Sequence, residues 1–159
     1  TPSLPSLGQS VYNAQAVVID NGSGVCKAGF SGEVGPQKVI LSLSKIWKYI
    51  YDKGLGVKPF ERPLFMTESP LNPKEDRAKL TQLMFERFKV PAFYLSVPAI
   101  LSLYASARYT GVVMDSGFGT SLAVPVYEGY CLPHAVTRLE LGGKDVTTEC
   151  GDSSQGAIL

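Results

Sequence analysis

Apolar positions along this chain gather into short runs broken by glycine, proline and charge, with no long single periodicity. Ala16-Val17-Val18-Ile19 is one such run, ending at Asp20 and a glycine-rich turn, Asn21-Gly22-Ser23-Gly24. A second strand-like run, Val25 to Phe30, follows at once, so the pattern predicts a β-hairpin. A dinucleotide-binding fingerprint needs a helix and a third glycine after the turn. β-branched and aromatic residues stand there instead, and that reading fails. Residues 1–15 are rich in proline and serine without periodicity and read as a mobile lead-in.

Lys38 to Leu41 reads as a third short strand. Ser44 through Asp52 places Ile46, Trp47, Tyr49 and Ile50 on one side of a short helix, with Ser44 as N-cap. Pro63 to Thr67 reads as a buried strand. Asn72, Pro73 and Glu75 suit the N-cap, first-turn and capping-box positions of a helix. That helix carries the apolar stripe Leu80, Leu83, Met84 and Phe88, with Glu75 and Lys79 as an i,i+4 pair. The charged cluster 74–79 reads as a solvated face. Ala92 to Ser96 is a further strand, and Pro98 opens a nearly all-apolar helix over Ala99–Ala107 expected to be buried all round. Strands resume at Gly111–Met114, Ser121–Tyr127 and Tyr130–Leu139. The order predicts a mixed α/β sheet fold with flanking helices that starts a second time.

Composition narrows the function. Fifteen Lys and Arg against fourteen Asp and Glu leave a formal charge of +1, which gives no electrostatic footprint for nucleic acid or an anionic membrane. Three widely spaced cysteines and one histidine cannot furnish a paired-ligand zinc site. His134 has no nucleophile elbow to serve and reads as an ordinary turn residue. Thiols without a disulfide framework fit a reducing compartment.

The restart is visible residue by residue. The segment 17–24 (VVIDNGSG) aligns with 112–119 (VVMDSGFG), and Val17/Val112, Val18/Val113, Asp20/Asp115, Gly22/Gly117 and Gly24/Gly119 are identical. Such self-similarity suggests duplication of a folding unit. In each copy a buried strand would fix a carboxylate at its C-terminal end. Glycines then let backbone N–H groups converge on an anion without an obstructing Cβ. Two copies in one register point to opposed phosphate clamps around a nucleotide and its divalent metal.

Residues 20–30 (DNGSGVCKAGF) resemble the first phosphate loop of actin nearly position for position. Met66 to Pro73 (MTESPLNP), Leu101 to Ser106, and the runs 127–130 and 132–135 are similarly actin-like. Residues 56–59 (GVKP) and 90–96 (VPAFYLS) resemble the testis-type actin-related proteins more than conventional actin. The resemblance spans residues 16–147. It implies an actin-like, ribonuclease H-like ATPase fold, divided as a first lobe over 16–108, the opening strands of a second over 109–147, and a non-family tail over 148–159. It also implies ATP with Mg²⁺ or Ca²⁺ as the family cofactor, and cytoskeletal or actin-binding partners in the cytoplasm. Carried over by position, Gly22, Ser23, Gly24, Val25 and Lys27 would cradle phosphates from one side and Gly117, Gly119 and Thr120 from the other. Asp20 and Asp115 would hold metal weakly through water.

Departures from the family pattern point away from catalysis. The small subdomain with the DNase-binding loop should follow residues 39–42, but the chain passes directly to Lys45-Ile46-Trp47. An internal excision of that kind resembles an alternative-splice or gene-model product. Pro98 stands where the resemblance places a water-positioning Gln, Phe118 where it places a metal-shell Asp, and Leu122 where it places a polar His. Phosphoryl hydrolysis needs a water held in line and a metal that neutralises developing charge. The three replacements supply neither, so hydrolysis is expected to be lost. The family's adenine and ribose contacts come mainly from a second half that does not follow here, so bound ATP is expected to be weak or absent. The expected function is that of an actin-related structural protein that neither hydrolyses ATP nor polymerises. A phosphotransferase or ATPase of the same superfamily, and a non-functional fragment, stand as the alternatives.

Overall fold

The computed structural model describes residues 14–40 and 46–155. The lead-in up to residue 13, the helix cap expected at Ser44 and the last four residues lie outside that range. The described chain divides into two compact units. One takes the chain up to Asn21 with Cys26–Glu68 and Asn72–Ser96, and the other takes Gly22–Val25, Ser69–Leu71 and the chain from Val97 onward.

The first unit is built on a five-stranded mixed sheet. Strands β1 (Val17–Asn21), β2 (Cys26–Phe30), β3 (Lys38–Ile40), β4 (Leu64–Thr67) and β5 (Phe93–Ser96) lie in the order β3-β2-β1-β4-β5. The predicted hairpin is present, with β2 antiparallel to β1 and to β3. β4 runs parallel to β1 and to β5, and helix α2 (Lys74–Glu86) connects β4 to β5 as a crossover. Val17, Ile19, Cys26, Ala28, Leu64 and Met66 form the sheet's share of a core that Ile46, Ile50, Tyr51, Met84 and Val90 close.

Local chemistry moved several elements from their expected form. The helix read over 44–52 is a short α-helix, α1 (Ile46–Tyr49), that widens into a π-helical stretch over Ile50–Leu55 and stops at Gly56 in the left-handed region (φ 66°). Because π geometry bonds i to i+5, it shifts the helix phase. Tyr51 is buried as a result, and Tyr49, expected on the inner side, is 54% exposed. Asn72 does not cap α2; its Nδ2 donates to Glu68 Oε2 at 3.1 Å. A carboxylate with only 7% of its side chain exposed needs donors more than helix N–H groups that water can reach. Lys79 pairs with Asp76 at 3.8 Å rather than with Glu75.

In the second unit β6 (Gly111–Ser116) pairs antiparallel with β7 (Ser121–Tyr127), and β7 also pairs with β8 (Tyr130–Cys131) and β9 (Thr137–Leu139). The single strand expected over 130–139 is therefore two. Pro133, which has no N–H to give a ladder, opens a 3₁₀ turn between them. Helix α3 (Pro98–Ala105) lies on β6 and β7. It buries only Ala99 and Leu103, against Val124 and Val126. Tyr104 and Ser102 face outward, so the expectation of burial all round is corrected: the sheet covers one face of the helix. The unit boundary accordingly falls at Ser96/Val97, ahead of the 108/109 division read from the sequence. Helix α4 (Gly143–Gln155) runs unbroken through the 147/148 position where a foreign tail was expected to begin. No described helix is long and apolar enough to cross a membrane.

Candidate functional site

The first turn is a four-residue loop, Gly22–Val25, closed by the Asn21↔Cys26 pair of β1 and β2. Its backbone comes so close to itself that a Cβ at Gly22 would stand 2.6 Å from the Val25 carbonyl oxygen. Glycine is required there. Asp20 lies at the end of β1 directly across from Lys27, whose Nζ is 3.7 Å from Asp20 Oδ2. The other carboxylate oxygen, Oδ1, accepts a 2.8 Å hydrogen bond from Thr67 Oγ1, which itself accepts from the Asn21 N–H at 3.0 Å. Thr67 is 8% exposed at the C-terminal end of the parallel neighbour β4. It holds the acid and fixes the entry to the turn. The reading of the sequence missed this role, although the residue sits inside the run 66–73. A hydroxyl ending a strand parallel to the Asp-bearing one is the signal that would have found it. Behind the turn, burial pushes the Cys26 thiol up to about 11, with the Asp20 charge adding to the effect, and the thiol is inert at neutral pH.

The second turn repeats the first in length. Gly117–Thr120 is closed by the Ser116↔Ser121 pair, and a Cβ at Gly117 would stand 3.3 Å from the Thr120 carbonyl oxygen. Here the Gly117 N–H is already taken, donating to that oxygen at 2.9 Å. The carbonyls of Gly117 and Phe118 accept the N–H groups of Gly143 and Lys144 at 2.9 and 2.8 Å. Asp145 Oδ2 accepts from the Gly142 N–H at 2.8 Å. The turn thus caps α4, satisfying helix N–H groups that would otherwise lack partners. Ser121 Oγ donates to the Leu141 carbonyl at 2.7 Å and lies 2.9 Å from Ser116 Oγ, tying the strand ends to the same segment. Asp115 is exposed on β6.

The tips of the two turns fall in one compact unit and touch. An added Cβ at Gly119 would lie 3.9 Å from Ser23 Oγ, and one at Gly24 would fall 2.5 Å from Cδ1 and 2.8 Å from Cβ of Phe118. The sequence-predicted clamps are therefore brought together, Gly22–Val25 with Gly117–Thr120, and Asp20 is brought to Lys27. Asp20 and Asp115 belong to different compact units. Among the described residues no cluster of three His, Cys, Asp or Glu side chains stands ready to hold a metal.

These contacts test the fit of a phosphate chain with its metal. The first turn has the glycine cradle for it. The second offers an aromatic ring laid against that cradle, so the residues present do not fit the group. Pro98 is the first residue of α3 and contributes no side-chain polar atom. Leu122 is half-buried in β7, paired with Asp115 and Arg138.

A family model described as Actin matches residues 41–156, well over half of the chain. The matched span takes in the second turn, Pro98, Leu122 and all of α4; the first turn precedes it. Actin-family proteins bind ATP with a divalent metal and are typically cytoskeletal or cytoplasmic. With its mixed sheet, flanking helices and duplicated hairpin turns, this chain belongs to the actin family.

Proposed function

We infer that the chain is a non-catalytic, structural member of the actin family, of the testis-type actin-related group, working at the cytoskeleton without ATP hydrolysis or filament growth. The observation that carries this reading is the joint replacement at the three positions to which the resemblance gives water and metal: Pro98, Phe118 and Leu122. Each side chain is apolar and carries no atom that orients water or binds a cation. In-line attack on a phosphoryl group depends on positioning and charge neutralisation rather than on covalent chemistry by the protein. Loss of one stabilising donor at such a site already costs about two to three decades of rate. Loss of all three leaves no route.

Filament incompetence is supported by the short passage from β3 to α1. Strand β3 ends at Ile40 and α1 begins at Ile46, which leaves no room for the small subdomain that the family uses in longitudinal contacts. The test is phosphate release from Mg·ATP by the purified chain, with co-sedimentation alongside actin under polymerising salt. The expected result is release at the buffer rate and no chain in the pellet. Turnover matching conventional actin overturns the catalytic part, and co-pelleting overturns the structural part.

A further inference from the structure

We propose that Phe118 is an internal occupant of the phosphate cradle: its ring closes the first turn onto the second and takes the space an anion would need. This rests on the reading of a degenerate nucleotide site and goes further, because a residue that merely failed to bind metal would leave the cradle open. Three observations carry it. Gly24 shows no left-handed φ, so its backbone tolerates a side chain and only the neighbour excludes one. That neighbour is the Phe118 side chain, whose Cγ, Cδ1 and Cβ all lie within 2.8 Å of where a Gly24 Cβ would be. The ring cannot simply swing away with its backbone, because the Phe118 carbonyl is held at 2.8 Å by the Lys144 N–H and the adjoining Gly117 carbonyl at 2.9 Å by the Gly143 N–H.

An anion enters a backbone nest only where N–H groups can approach it without intervening carbon. An apolar ring against the glycine removes that approach and replaces a charged bridge with van der Waals contact. The chain therefore holds its two turns together without a nucleotide, and the same ring bars one from entering.

A double-mutant cycle in the full-length chain measures the contact directly. Gly24→Ala should lower the urea midpoint, and in a Phe118→Ala background the same change should lower it by less than half as much. Equal, additive losses overturn the proposal. Binding of inorganic pyrophosphate and of Mg·ATP, followed by calorimetry, measures the occlusion. Phe118→Ala should bind at least ~10-fold more tightly than the parent, and Phe118→Leu, which keeps the space filled with carbon, should match the parent. No gain in Phe118→Ala, with the variant shown folded by circular dichroism, overturns the occlusion. ATP hydrolysis by the parent would instead overturn the functional reading while leaving the coupling between Gly24 and Phe118 intact.

Discussion

At the scale of single residues, Cys26 has a measurable signature. Its folded-state pKa lies near 11, above the 9.0 of an accessible thiol, so the folded state holds the proton more tightly. That stabilisation is fully present below pH 9 and is lost as pH rises toward 11. Burial moves Tyr51 in the same direction. Urea midpoints should therefore fall between pH 9 and 11, and Cys26→Ala should flatten part of the fall; a midpoint constant across that range contradicts the assignment. At pH 8 burial holds Cys26 as the neutral thiol. Iodoacetamide should label the exposed Cys150 and spare Cys26 until the chain unfolds. Asp20 and the paired glycines were legible because their positions repeat; Lys27 was named through the resemblance alone, as a phosphate contact, and its place across from Asp20 came from the register of the hairpin. Thr67 was not, since its partners Asp20 and Asn21 are distant in sequence and on another strand, and periodicity carries no information about which strand lies alongside; Asp145, three residues from the Gly142 N–H it accepts, could have been read from that local capping spacing.

At the scale of elements, the join between β4 and α2 depends on a single buried acid. Glu68 receives Arg77 in two bonds, Nε at 3.0 Å and Nη2 at 2.7 Å, and Asn72 in a third. Arg77→Ala leaves a nearly buried carboxylate short of its charged donor and should cost about 2–3 kcal/mol, read as a lower urea midpoint with unchanged slope. Arg77→Lys, which lacks the planar fork, should recover only part of it. A loss below ~0.5 kcal/mol, the value typical of an exposed pair, contradicts the buried-acid account. The hairpins, the crossover helix and α3 were legible from alternation, a proline at the helix start and apolar spacing. The π-helical widening over Ile50–Leu55 was not, because nothing in the run 50–55 distinguishes it from ordinary helix until tertiary packing draws Tyr51 inward. The 3₁₀ break at Pro133 could have been read from the proline alone.

Across the whole molecule the two sheets are unequally covered. β1, β4 and their neighbours bury a continuous core. Val112 and Met114 on β6 and Leu139 on β9 remain 70%, 72% and 53% exposed. Native-state hydrogen exchange should show slow amides in β1, β4 and β5 and fast ones in β6, β8 and β9, with the fall beginning after Ser96 rather than after residue 108. Uniform protection would mean that β6 has acquired a covering partner, since a bare edge with apolar side chains invites pairing. The duplication itself was legible in the sequence, and the equality of its two turns is a structural finding. Four residues close each hairpin, and glycine occupies the first and third places in both. The turns are thus matched in length and glycine placement but not in duty, since the second also caps α4: the double substitution F118S/T120V would write the first turn's sequence into the second with strand register unaltered on either side, and its urea midpoint against the parent's would read what the ring alone contributes.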